Sequence, residues 1–314
     1  MNAMKKLLFR LLLSSCLCAP VFAAPLSSNA RTVVPSAIQQ IISVDYRALR
    51  GSPTATALKN RVLPEPLKQF EIALRNFGIN PNTDIEQITF VTYRPAKGGL
   101  SAIGIAQGTL KQKEFLQKMK LKGVKPEKYL LSFLYPMGSG MQVAFLDPTT
   151  IVFGENAALK GAIDVRDKGA ESLATNNGIN DLILDSDSAP IWSVLDQQGT
   201  QVMMKSALGQ AASLADYDVV KRRLMASDYT MNFENGVTFD LNVKTSDNMT
   251  AASLASLLKA GVLYRGMNAT QSEKLALESM RVDNQRDLLQ MHFKTDDQRF
   301  QALLKSELFA SVSH

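Results

Sequence analysis

Few residues of this chain have the types and spacing that enzymatic chemistry requires. Histidine occurs only at His292 and His314, so a Ser-His-Asp triad would have to use one of them. His292 falls in a predicted strand over residues 288–294, where an exposed or hydrogen-bonded histidine is more common than a general base. Ser139 lies in a Gly-Ser-Gly sequence that predicts a hairpin turn, and the chain has no Gly-x-Ser-x-Gly motif. The catalytic residues of any activity therefore stay unknown from the sequence.

Two aspartates are the candidate carboxylates for a hydrolase. Asp45 ends the segment Ile-Ile-Ser-Val-Asp, and Asp196 ends the similar segment Ile-Trp-Ser-Val-Leu-Asp about 150 residues later. A pair of carboxylates can serve as general acid and base when the fold brings them together. The alternative role for both is hydrogen bonding at a strand end or in a turn.

A group of short motifs matches sequences found in penicillin-recognising enzymes. Residues 256–259 read Ser-x-x-Lys, residues 246–248 read Ser-Asp-Asn, and residues 244–246 nearly match Lys-Thr-Gly. All three fall within residues 244–259 and in the wrong order, whereas the enzymes keep them far apart so that different elements converge on one cleft. We therefore interpret this segment as a strand end, a turn and a packed helix.

Metal and cofactor sites are not expected. Residues 185–188 read Asp-Ser-Asp-Ser, like the start of a calcium loop, but Pro190 and Asp196 stand where such a loop has Gly and Glu. A solvated linker is the better interpretation. The only cysteines, Cys16 and Cys18, lie in an N-terminal leader, so the mature chain is expected to have no disulfide, cysteine metal site or cysteine nucleophile. The sequence also has no glycine-rich phosphate loop, and no cofactor is predicted.

The leader, residues 1–23, has the features of an export signal peptide. Lys5 and Lys6 precede an apolar stretch over residues 11–19, and Val-Phe-Ala precedes the expected cleavage site after residue 23. The apolar stretch is well short of the ~20 residues that a spanning helix needs, so no transmembrane segment is expected in the mature chain. A periplasmic or secreted protein is predicted. The alternative is a lipid anchor at Cys16, because it ends a Leu-Ser-Ser-Cys sequence.

The charge balance argues against a nucleic-acid partner. The formal net charge is +6, and 32 basic and 29 acidic residues remain once Lys5, Lys6 and Arg10 leave with the leader. This is not the concentrated basic surface of a nucleic-acid binder. Seven lysines within residues 111–128 form the densest basic segment. They predict a solvated helix face, or alternatively a surface for anionic lipid headgroups or cell-wall polymers.

The remaining sequence predicts a tether over residues 24–36 and two related halves over residues 37–188 and 189–314. Each half begins with one of the two segments that end in aspartate and continues with helices, a β-hairpin, a further helix and more strands. The matching order predicts an internal duplication. The fold class is α+β, in which each half is an antiparallel sheet covered by amphipathic helices.

The second half carries the clearest local signals. Asn235-Gly236 predicts a tight hairpin turn, and residues 237–244 alternate strictly between apolar and polar types. One face of this hairpin is therefore expected to be buried, while the other meets water or a ligand. The two halves differ most over residues 125–153 and 263–294, where we expect any binding site. A loose group of methionines predicts core filling or an adaptable binding surface and comprises Met203, Met204, Met225 and Met231.

A run of structural motifs lies in the last part of the first half. Residues 145–147 read Phe-Leu-Asp, residues 151–154 read Ile-Val-Phe-Gly, residues 156–160 read Asn-Ala-Ala-Leu-Lys, and residues 172–174 read Ser-Leu-Ala. This pattern resembles a widespread family of uncharacterised exported bacterial proteins, described as a domain of unknown function. The resemblance covers most of residues 37–314. It implies duplicated α+β halves and a periplasmic or surface setting, and it brings no catalytic residues.

These features together predict an exported, non-enzymatic binding or structural protein of the bacterial envelope. Its partner is unknown and can be an envelope protein, a lipid or a polymer. An apolar ligand is expected on a sheet face or at the junction of the halves. The alternatives are a carboxylate-based envelope hydrolase that uses Asp45 and Asp196, and a carrier for lipids or lipoproteins, which requires a large apolar groove.

Overall fold

The computed structural model describes residues 26–305 except 63, 64, 139, 210, 211, 213–216 and 268. The predictions for the export leader, for the anchor at Cys16, and for Ser139 and His314 lie outside these residues. None of the described helices, including one of 20 residues, combines the length and the apolar character needed to cross a membrane.

The described residues form twelve strands and thirteen α-helices. The strands are β1 (Ile38–Asp45), β2 (Ile85–Tyr93), β3 (Ser101–Gly108), β4 (Glu127–Tyr129), β5 (Ser132–Gly138), β6 (Met141–Asp147), β7 (Thr150–Glu155), β8 (Ile191–Leu195), β9 (Leu224–Asn232), β10 (Val237–Thr245), β11 (Met280–Gln285) and β12 (Leu288–Thr295). The helices are α1 (Ser28–Val33), α2 (Tyr46–Arg50), α3 (Pro53–Val62), α4 (Glu65–Asn76), α5 (Pro81–Asp84), α6 (Gln112–Leu121), α7 (Asn156–Lys168), α8 (Asn177–Ser186), α9 (Gln197–Leu208), α10 (Tyr217–Lys221), α11 (Asn248–Met267), α12 (Gln271–Glu278) and α13 (Asp297–Leu304).

The fold is α+β, as predicted, but the expectation of two separate sheets is wrong. All twelve strands belong to one sheet in the order β11-β12-β10-β9-β8-β1-β2-β3-β7-β6-β5-β4. The join is between β1 and β8, which pair antiparallel with Ile42 opposite Ser193. Both strands carry large apolar side chains on each face, such as Ile41 and Ile42 in β1 and Trp192 and Leu195 in β8. Neither strand therefore suits the edge of a sheet, and pairing satisfies the backbone N–H and C=O groups of both.

The strand order outward from this join is similar on its two sides, which have seven and five strands. One side runs β1-β2-β3-β7-β6-β5-β4, and the other runs β8-β9-β10-β12-β11. Each side therefore starts with a strand ending next to a helix-capping aspartate, continues with a hairpin, and adds its later strands beyond that hairpin. The hairpin predicted at Asn235-Gly236 is confirmed, because β9 and β10 pair across it and both turn residues have positive φ.

Part of the segment predicted as a tether belongs to the core. Residues 28–33 form α1, whose first turn is capped by the Ser27 side chain, and Ala30 and Val33 are fully buried. Pro35 then forms a β-bridge with Ser172. Residues 24–36 are mostly small or polar, so the two apolar residues at helical spacing were not recognised as a helix. This part of the tether prediction was wrong.

The first-half strands are covered on both faces. Helices α1, α7 and α8 pack on one face, and α4 and α6 pack on the opposite face through a cluster of aromatic rings. In that cluster the Phe70 ring stacks on Phe153 with a centroid separation of 3.7 Å, and Phe115 meets Phe145 edge-on at 5.2 Å. These large rings fill the space between helices and sheet.

Gly104 makes room for this aromatic cluster, and replacing it tests how tightly the cluster is packed. A Cβ atom at this position would overlap the Phe153 ring, which is held by Phe70 and Phe90. We expect Gly104→Val to lower the free energy of unfolding by about 1–3 kcal/mol because the buried rings have nowhere to move. Chemical denaturation measures the effect. Ala102→Val is the control, since Ala102 is exposed on the same strand; equal losses from the two variants would contradict this packing.

Candidate functional site

A large cavity lies over the second half of the sheet. It has a volume of about 860 Å³ and lies between helices α9, α11 and α12 and the sheet strands β1 and β8–β12. Its helix side is formed mainly by apolar residues: Val202, Met203, Ala207, Leu208, Leu258, Val262 and Leu277. Its sheet side is formed mainly by Ile42, Leu195, Tyr229, Phe239, Leu241, Met280 and Met291. We call this cavity the apolar groove.

Strand register places the floor residues of the apolar groove on one face. Ser193 lies opposite both Ile42 and Tyr229, and Leu241 lies opposite both Tyr229 and Met291. Residues directly opposite each other in an antiparallel pair point to the same face. Of the apolar side chains on this face of β10, Phe239 and Leu241 line the groove, whereas Val237 and Val243 are fully buried. The sequence predicted burial of this face and placed a possible ligand on the other.

The groove lies where the sheet face carries fewer packed aromatic rings than in the first half, chiefly Tyr229 and Phe239. The same face of the sheet carries stacked phenylalanines under α4 and α6. Under α9 and α11, methionines and small residues take their place, and Met203, Met280 and Met291 remain only partly buried. Gly199 lets the start of α9 approach β1 so closely that a Cβ would overlap the Gln39 carbonyl. The helix is thus fixed at one end while space remains beside it.

Besides Gln39, Gln40 and Ser206, two polar features interrupt the apolar lining. Burial raises the pKa of the Tyr229 hydroxyl, an effect partly offset by hydrogen bonds with Ser193 and Gln40. The Tyr229 hydroxyl therefore stays neutral at physiological pH and can donate or accept a hydrogen bond. The other feature is Arg265 in the last turn of α11, the one charged residue in the part of the lining that the structure describes.

The structure does not bring Asp45 and Asp196 together. Asp45 is buried and caps α2, accepting hydrogen bonds from the backbone N–H groups of Arg47 and Ala48. Asp196 caps α9 through the Gly199 N–H. Because β1 and β8 run antiparallel, the two carboxylates lie at opposite ends of the strand pair, about 20 Å apart at ~3.3 Å per residue. The hydrolase that the sequence suggested from this pair has no site here.

His292 lies on the sheet face opposite to the apolar groove. Its Nδ1 is 2.6 Å from Asp240 Oδ1 on the neighbouring strand, and both side chains are nearly half exposed. It is thus a surface residue in a cross-strand pair, consistent with the structural role favoured from the sequence.

The penicillin-enzyme motifs are local structural features. Strand β10 ends at Thr245, and Asp247 then caps α11 by accepting from the Thr250 N–H at 2.8 Å. Hydrogen bonds from the Thr250 N–H and from the Ser246 and Thr250 hydroxyls lower the pKa of Asp247 to about 2. The Ser256 hydroxyl donates to the Ala252 carbonyl within the helix. The predicted strand end, turn and packed helix are confirmed.

Other candidate sites lie away from the groove. Among the described residues, no group of three or more His, Cys, Asp or Glu side chains could hold a metal ion. The lysine segment lies in the first half, where Lys122 donates to the Asn76 carbonyl and lies 4.7 Å from the centre of the Phe77 ring. Of the two divergent segments, residues 263–294 contribute to the groove and residues 125–153 do not.

Sequence reasoning missed most of the groove residues. Met203 was noted only as one of a loose group of methionines, and Met204 beside it is fully buried core. Ala207 and Val262 carry no signal, because an alanine or valine on a helix predicts packing rather than a cavity. The only available hint was the change from phenylalanine-rich to methionine-rich helices and strands between the two halves.

Comparisons with known proteins give only distant structural matches. No family model and no curated protein matches the chain. A structure titled crystal form I of TP0453 matches with a TM-score of 0.49 and 9% identity, covering 91% of this chain and 99% of that one. Crystal form III of TP0453 matches with a TM-score of 0.47 and 9% identity, covering 90% and 97%. Similarity at this level says nothing about what this chain binds.

Proposed function

We propose that this chain is an exported envelope protein that binds a lipid-like ligand, with the ligand's long apolar chain in the apolar groove. The observation that carries the proposal is a cavity of about 860 Å³ with a mainly apolar lining. Ligand pockets of this kind are typically ~300–1,000 Å³ and apolar, with a few placed polar groups. The proposal joins the binding protein expected from the sequence with the carrier alternative, which required such a groove.

The energetics are sufficient for useful affinity. Burying about ten methylene groups contributes roughly 8 kcal/mol, at ~0.8 kcal/mol for each. The loss of translational and rotational freedom offsets several kcal/mol of this. Dissociation constants in the micromolar range or weaker are therefore expected for the apolar chain alone, which suits a protein that takes up and releases its ligand.

Binding is a better account than catalysis for the candidate residues. Asp45, Asp196 and Asp247 each cap a helix and use their carboxylate oxygens to do so. His292 and Asp240 pair on the opposite face from the groove. The side chains that line the groove are suited to contact with an apolar surface.

Export and duplication belong to the same proposal. The leader over residues 1–23 directs the chain to the periplasm or the exterior. The matching strand order on the two sides of the β1–β8 join supports two related halves, residues 37–188 and 189–314. In this proposal the duplicated halves diverged: the first half has a closely packed core, and the second half has the apolar groove that binds the ligand. We also propose that the chain belongs to the family of uncharacterised exported proteins that its sequence resembles.

Affinity should rise with the length of the ligand's apolar chain. A fluorescent fatty acid, 11-(dansylamino)undecanoic acid, is titrated into the exported chain and then displaced by octanoate, decanoate and dodecanoate. We expect saturable binding and an increase in competitor affinity of about fourfold for each added methylene, until the groove is filled. Non-saturable probe fluorescence, or affinities independent of chain length, would contradict binding in the groove.

A further inference from the structure

We infer that the ligand of the apolar groove is an anionic amphiphile whose headgroup pairs with Arg265. This inference rests on the proposed function and specifies its ligand. Among the described residues that line the groove, Arg265 is the only charged one, and it is partly buried. A cationic side chain in a mainly apolar cavity favours an anionic ligand over a neutral or cationic one.

Most N–H donors of the Arg265 guanidinium are available to a ligand. Its Nη2 lies 3.5 Å from the Ala207 carbonyl near the end of α9, which is at the long limit for a hydrogen bond. Its remaining N–H groups have no carboxylate partner among the residues that the structure describes. Arg94, by contrast, binds both carboxylate oxygens of Asp196, at 2.8 and 3.2 Å.

An interaction with the end of α9 is the competing explanation for Arg265. A cation near the last carbonyls of a helix is favourable, because the helix dipole is negative there. That role uses one donor of the five in a guanidinium and does not require the side chain to line the cavity. The unused donors suit a carboxylate or a phosphate, which a guanidinium can bind with two parallel hydrogen bonds.

The location of Arg265 gives the ligand a polar and an apolar end. Val262 lies one turn before Arg265 on α11 and lines the same groove, as does Leu277 on α12. A headgroup at Arg265 therefore leaves the attached chain beside apolar side chains. A long-chain carboxylate or a monoalkyl phosphate has the required combination of one anionic group and one apolar chain.

Three ligands with the same apolar chain test this inference: decanoate, decyl phosphate and decanol. Each displaces the dansyl probe from the wild-type chain and from Arg265→Gln. We expect at least one anionic ligand to bind wild type about 10- to 100-fold more tightly than decanol, because a hydrogen-bonded charge pair contributes that much. Arg265→Gln should remove this preference, because it weakens the anionic ligands far more than decanol. Decanoate and decyl phosphate together show which anionic group the site prefers.

Arg281→Gln is the matched control. Arg281 is exposed on β11 and does not line the groove, so the preference should persist in this variant. If decanol binds wild type as tightly as both anionic ligands, or if Arg265→Gln keeps the preference, the headgroup inference is wrong while the groove proposal stands. If no decyl compound displaces the probe, the proposed function fails as well.

Discussion

Met291→Trp is expected to weaken binding of a long-chain ligand by about 100-fold without unfolding the protein. Met291 lies on the floor of the groove, opposite Leu241, and its side chain is only partly buried. An indole at this position would occupy space inside the cavity rather than overlap a packed core. Displacing about four methylene groups of a bound chain removes roughly 3 kcal/mol, which corresponds to that loss of affinity. Displacement of the dansyl probe measures it.

Gln290→Trp is the control for this prediction. Gln290 precedes Met291 in β12, so its side chain points to the opposite face of the sheet. The same indole is therefore added one residue away and outside the groove. Unchanged binding in Gln290→Trp together with the loss in Met291→Trp places the ligand on the groove face. Equal affinities in both variants and wild type would mean that the ligand binds elsewhere.

Trp192→Ala is expected to lower the free energy of unfolding by about 3–5 kcal/mol, as for other fully buried large side chains. Trp192 is 1% exposed in β8, the strand that joins the two sides of the sheet. It packs in a core cluster shared with Ile41 of β1 and Ile183 of α8. Because this cluster contains residues from both sides of the join, the loss should lower the stability of the whole sheet in one transition.

Denaturation followed by circular dichroism, together with amide hydrogen exchange, measures this effect. We expect the protection of backbone amides from hydrogen exchange to fall in both β3 and β10 of Trp192→Ala, although only one residue in β8 has changed. Trp192→Phe keeps most of the buried volume and should lose less stability. Protection that falls only on the second-half side would show that the two sides unfold separately, against the single cooperative sheet described above.

Local features of this fold were predictable from the sequence. The turn at Asn235-Gly236 and the alternation in β10 depend on residues close together in the chain, and both were predicted correctly. For Asp45 and Asp196 the sequence offered hydrogen bonding at a strand end or in a turn as the alternative to catalysis, and each caps the helix that follows its strand. Capping is a local interaction, so the residue types near each strand end carry enough information.

The single sheet and the groove were not predictable in the same way. Pairing of β1 with β8 joins residues about 150 positions apart, and nothing near Ile42 specifies Ser193 as its partner. The groove depends on which side chains are missing between α9, α11 and the sheet. A cavity is formed by residues from distant parts of the chain, so only the three-dimensional packing reveals it. The buried helix α1 was missed because a short helix with two buried residues gives too weak a pattern.

The central claim is that a long apolar chain binds in the groove, and photo-crosslinking tests it most directly. A fatty acid carrying a diazirine near its methyl end is irradiated with the purified protein, and the labelled peptides are mapped by mass spectrometry. We predict saturable labelling confined to α9, α11 and β12, with loss of labelling in Met291→Trp and retention in Gln290→Trp. Non-saturable labelling, or labelling centred on residues 125–153 in the first half, would contradict the claim.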